Sequence, residues 1–70
     1  MKQDEKAPDY LALEIKDADG GLWGVVHAMP RVFSSGSVGF YGTGKISNPR
    51  NPAARYQFNM NFTLIGSKPE

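Results

Sequence analysis

Apolar and polar residues alternate along most of this chain. Leu11, Leu13 and Ile15 interleave with Ala12, Glu14 and Lys16 between Tyr10 and Asp17, the period-two pattern of a half-buried strand. From Arg55 to Ile65 the pattern is cleanest, with Tyr56, Phe58, Met60, Phe62 and Leu64 alternating with Gln57, Asn59, Asn61 and Thr63. Two strands are predicted between these. The one opening at Leu22 carries Trp23, Val25, His27 and Met29 on one face and Leu22, Gly24, Val26 and Ala28 on the other, with Gly24 marking a bulge or a close backbone approach. The other runs from Val38 to Ile46, with Val38, Phe40 and Ile46 on one face and Tyr41, Thr43 and Lys45 on the opposite one. No helical period of useful length appears.

The punctuation fits an antiparallel order. Asp17-Ala18-Asp19-Gly20-Gly21 contains an Asp-Gly pair between apolar runs, a hairpin signal because both residues tolerate positive φ. Ser34-Ser35-Gly36-Ser37 reads as a tight turn. Pro30 lacks an amide hydrogen and should interrupt the ladder or sit at an edge, with Arg31-Val32-Phe33 resuming as a short strand. Ser47 to Ala54, with two Asn-Pro steps, reads as a loop. The expected fold is all-β: a small antiparallel sheet or partly closed barrel of 4–5 up-and-down strands, strongly curved at the strand holding Gly39, Gly42 and Gly44. Residues 1–9 are expected to form a flexible tail, 10–66 a single β domain, and 67–70 a frayed end.

Size and composition change this picture in two ways. A chain of 70 residues buries a marginal core, and with no Cys and a single His it cannot add disulfides or a thiolate or multi-histidine metal site. Oligomerisation, most simply a homodimer, is the remaining source of stability, and no cofactor is expected. The charged start, Met1-Lys2-Gln3-Asp4-Glu5-Lys6, is followed by no apolar stretch, so neither a secretory leader nor a membrane span is expected and the location is expected to be cytoplasmic. The net charge of +1 conceals an asymmetry. Residues 1–19 hold six acids against three lysines, whereas residues 20–69 hold Arg31, Lys45, Arg50, Arg55 and Lys68 with no acid. Such an asymmetry can mark an anionic partner; the plainer reading is a sparse set of cations balanced by the acidic strand beside them.

Candidate catalytic motifs fail on context. Gly39 to Lys45 spells the start of a phosphate-binding G-x-x-x-x-G-K loop, but Ile46 stands where a Mg²⁺-ligating hydroxyl is needed and no helix can begin in Ile-Ser-Asn-Pro-Arg-Asn-Pro. Asn61-Phe62-Thr63 matches a glycosylation acceptor by chance on a strand. His27 has no partner set for nucleophilic or acid–base chemistry, and the carboxylates fall in a tail and a turn. An enzyme is not expected.

The polar strand faces remain. If Tyr41, Thr43 and Lys45 lie beside Gln57, Asn59, Asn61 and Thr63, one face displays an aromatic, a cation, amides and hydroxyls, bordered by Arg31, Arg50 and Arg55. Sheets that hold single-stranded nucleic acid combine stacking aromatics with cations that track the backbone. The expected function is thus a non-enzymatic, sequence-tolerant binder of single-stranded DNA or RNA, with Tyr41 and Trp23 stacking bases, Lys45, Arg31, Arg50 and Arg55 on phosphates, and Gln57, Asn59 and Asn61 adding polar contacts. The alternative is a protein-interaction or assembly module acting through an edge strand and the Asn-Pro loop. Carbohydrate binding by the amides is a third, and a face left polar for solubility alone is the plain counterpart to all three.

Overall fold

The computed structural model describes residues 3–69, which form four strands: β1 (Leu11–Lys16), β2 (Leu22–Val32), β3 (Val38–Asn48) and β4 (Asn51–Thr63). They pair antiparallel in the order β1-β2-β3-β4. The sheet is open, an up-and-down meander rather than a barrel. The period-two reading therefore holds: Leu13 lies opposite Val26, Phe40 opposite Phe62, and Lys45 opposite Gln57.

The first two turns share one chemistry. In β1–β2 the Asp17 N–H donates to the Gly21 carbonyl (2.9 Å) and the Gly20 N–H to the Asp17 carbonyl (3.0 Å), with Gly20 at φ 87°. In β2–β3 the Phe33 N–H donates to Ser37 O and the Gly36 N–H to Phe33 O, both at 2.8 Å, with Gly36 at φ 89°. Each is a three-residue loop whose last residue is left-handed, a place where glycine carries no Cβ penalty.

Three boundaries differ from the sequence reading, each for a local reason. Strand β2 does not break at Pro30, which pairs with Phe40. Because the Phe33 N–H faces β3, alternation turns the Pro30 nitrogen the other way, to the side where β1 has already ended at Leu11 opposite Ala28. Its missing donor costs no ladder bond. The expected loop at 47–54 is mostly extended. Asn48 pairs with Asn51 across Pro49-Arg50, the Arg50 N–H donates to Asn48 Oδ1 (2.9 Å), and Pro52 to Ala54 are absorbed by a register shift before Arg55 meets Ser47. A second shift, between Ile15 and Lys16, leaves Trp23 as the extra residue of β2. This bulge carries the indole to the face opposite Val25 and His27, where it meets Tyr56 at 5.6 Å between ring centroids.

The apolar side is compacted by glycines rather than filled by a second layer. A Cβ on Gly44 would lie 2.9 Å from the Phe58 ring, and one on Gly42 2.5 Å from the His27 carbonyl oxygen of β2 and 2.8 Å from the Met60 methyl. Both side chains thus lie across β3. The β2–β3 ladder covers only Met29–Val32 against Val38–Tyr41. Beyond it the two hairpins are held by side chains, with Trp23 on Tyr56 and Ile46 against Gly24. Ala28, at the junction, is the one fully buried apolar side chain among the described residues. At the carboxyl end, in the segment expected to fray, Ser67 is buried; its hydroxyl accepts from the Val38 N–H (3.1 Å) and donates to the Leu64 carbonyl (2.7 Å). No helix among the described residues is long and apolar enough to cross a membrane.

Candidate nucleic-acid interface

Register assembles the polar face. Tyr41 pairs with Asn61, Thr43 with Asn59, Lys45 with Gln57 and Ser47 with Arg55, so alternate positions of β3 and β4 present these side chains together. On the other side of β3, Tyr41 pairs with Met29 of β2, and Arg31 sits one position pair further along the same face. Seven of the nine expected site residues are thereby brought together: Arg31, Tyr41, Lys45, Arg55, Gln57, Asn59 and Asn61. Two are not. Trp23 is on the apolar side, its indole N–H donating to Asp17 Oδ2 at 3.3 Å, and Arg50 is in the β3–β4 turn beyond the end of the face.

The hydroxyls and amides are ordered among themselves. Asn59 Oδ1 accepts from the Tyr41 hydroxyl (3.4 Å) and lies 3.0 Å from Thr43 Oγ1, which lies equally close to the Phe58 carbonyl. With its oxygen taken up by β3, Asn59 turns its amide nitrogen outward as a donor. The Arg31 guanidinium carbon sits 4.4 Å above the Tyr41 ring and 5.9 Å from the Phe33 ring. Such cation–π contact at an exposed site contributes about 0.5–1 kcal/mol. At the far end of the face, Lys45, Arg55, Tyr56 and Gln57 line a shallow depression of about 250 Å³.

The face is electrostatically one-sided. Along β2, β3 and β4 its strand positions carry Arg31, Lys45 and Arg55 and no carboxylate; Glu14, on β1, is 3.4 Å from Lys16. The acid nearest to functional interest, Asp17, is occupied by its turn. The Gly21 N–H does most to hold its carboxyl below the ordinary carboxylate range, opposed by partial desolvation and aided by the Trp23 indole, the Asp19 N–H and the charge of Arg50. Among the described residues no group of three or more His, Asp or Glu side chains is placed to hold a metal ion.

Several members of this face escaped the sequence reading. Phe33 flanks Arg31, Met29 is half exposed beside Tyr41, and Tyr10 packs edge-on against His27 at 5.3 Å. The alternation that placed Val25, His27 and Met29 together was the available signal; joining Phe33 to Arg31, already expected at the border of the face, required knowing that β2 passes through Pro30 unbroken.

Family models, curated proteins and solved structures offer no match to this chain.

Proposed function

We propose that this protein is a non-enzymatic binding module whose polar sheet face takes single-stranded DNA or RNA with little regard for sequence. The observation that carries this reading is the β3–β4 register, which sets Tyr41, Thr43 and Lys45 directly against Asn61, Asn59 and Gln57 on an exposed face free of carboxylates over three strands. Bases need flat π surfaces and phosphates need cations. Tyr41 under Arg31 supplies both, because a guanidinium plane stacks a base as well as pairing with phosphate. Lys45 and Arg55 take phosphates about 13 and about 20 Å from Tyr41 along β3, by register and strand rise. The amides meet base edges or sugar hydroxyls without a pocket to enforce one base. No covalent step is assigned to this face, and a cytosolic location suits a cysteine-free chain of this kind.

Titrating the protein into a fluorescently labelled oligonucleotide, read by anisotropy, tests the reading. With three cations on the face, single-strand binding should have a salt slope near about −2, or about a twentyfold loss of affinity from about 50 to about 200 mM salt. Undetectable or salt-independent binding at low ionic strength would refute it.

The outer edge of β4, thirteen residues long and open, supports a second reading in which the chain lends a strand to another protein. In that case Tyr41→Ala leaves function intact, whereas a proline at Asn59, whose amide points away from β3, abolishes it.

A further inference from the structure

The apolar side of the sheet is larger than one chain covers. Val32 is 70% exposed, Tyr56 52% and Phe62 38%. The chain exposes 5509 Å², whereas a compact monomer of its mass exposes about 4,300 Å². Its radius of gyration is 14.9 Å, with extents of 46 × 22 × 19 Å, against about 11 Å for a compact domain of this length. The surplus of about 1,200 Å² exceeds the roughly 800 Å² that each partner contributes to a stable interface of ordinary size.

The opening is concentrated at one end. Leu11, Val32, Val38, Phe40, Phe62 and Leu64 line a groove of about 780 Å³. Asp4, Ala7 and Pro8, from the segment ahead of β1, and Arg31 of β2 border this groove. No strand position on the apolar side carries a charge, and the two charged residues at the border of the groove, Asp4 and Arg31, are of opposite sign. A twofold contact sets the same patch against itself, which an apolar surface bordered by one acid and one cation satisfies.

We propose that a second copy of this chain covers this groove, apolar side to apolar side about a twofold axis, leaving both polar faces outward. Pairing two copies edge to edge along β4 would satisfy backbone groups but leave Val32, Val38 and Phe40 uncovered, so it does not account for the surplus area. This inference does not depend on what the polar face binds, and its test contains no nucleic acid.

Sedimentation equilibrium of the intact chain should give twice the 7.7 kDa chain mass. The thermal midpoint should rise with protein concentration, because association and folding are linked. Val32→Glu should weaken the dimer by at least about 100-fold, as an unpaired charge in an apolar contact does, while Val25→Glu, on the opposite face, should leave it unchanged. If Val32→Glu fails to fold, the native chain still decides. A monomer mass with a concentration-independent midpoint overturns the proposal, as does a mass above the dimer. Hydrogen exchange separates the two dimers. The Leu64 N–H points to β3, so by alternation the Gln57, Asn59, Asn61 and Thr63 amides point off the edge of β4. Rapid exchange at these four is expected, and their protection in a dimer would establish edge pairing instead.

Discussion

The two sides of β3 are made from one run of nine residues, Gly39 to Ser47, and they solve opposite problems. On the apolar side Gly42 and Gly44 give up their own side chains so that Met60 and Phe58 can lie flat across the strand. On the polar side Tyr41, Thr43 and Lys45 are set directly opposite Asn61, Asn59 and Gln57. A single sheet with no helix behind it covers part of one face by laying long side chains over short ones, and the groove at the Val32–Val38 end stays open. The polar side then needs no packing role and is free to hold cations and amides outward. Stability and binding are thus assigned to alternate residues of the same strand, and substitutions at neighbouring positions should have unlike effects.

The sharpest test of that separation is on the glycine side. Gly44→Val drives a side chain into the Phe58 ring and should destabilise the fold by about 1–3 kcal/mol, a large share of what so small a domain has. Urea denaturation measures this, and the fraction still folded should bind oligonucleotide with native affinity. Next is Tyr41→Ala, with the reverse signature. One lost stacking surface costs about 1–3 kcal/mol of binding, a loss of about 5- to 150-fold, while stability changes by about 1 kcal/mol or less. If both variants lost stability and binding in proportion, the two sides would not be separable.

Smaller effects sharpen the comparison. Lys45→Ala and Arg55→Ala should each weaken oligonucleotide binding several-fold, evenly across sequences, and reduce the magnitude of the salt slope by about 0.7. Trp23→Phe should leave affinity unchanged, and Trp23 emission should not respond to oligonucleotide, because the indole is on the apolar side against Tyr56. The smallest effect concerns acid. The folded state holds the Asp17 carboxyl below its unfolded value, so Asp17 stabilises the fold at neutral pH. That contribution fades as the pH falls through and below the ordinary carboxylate range. In Asp17→Asn this part of the acid dependence should be missing from pH-dependent denaturation curves.

How much of this was legible in the sequence follows from what sets each feature. Strand identity, face assignment on β1, β3 and β4, and the two glycine turns follow from period two and from positive φ, both local. The grouping of Tyr41, Thr43 and Lys45 with the β4 amides was legible for the same reason. Trp23 was not, because one extra residue at a bulge inverts the face of everything before it, and period counting has no means to see that residue. Pro30 and the 47–54 segment were misread because a proline's cost depends on which way its nitrogen points, and that is decided by where the neighbouring strand ends. The Phe33–Arg31–Tyr41 stack depends on the same continuity of β2, so it too lay beyond a strand-by-strand reading.

The central claim is that ligand meets the polar side of β3 and β4 and not the apolar side. Amide and side-chain NMR shifts recorded while adding a short single-stranded oligonucleotide would map the contact. Perturbations should centre on Tyr41, Thr43, Lys45, Gln57, Asn59 and Asn61 and on the Arg31 side chain, with Trp23, Phe40 and Met60 nearly silent. Shifts centred on those three instead, or none at low salt, would contradict it.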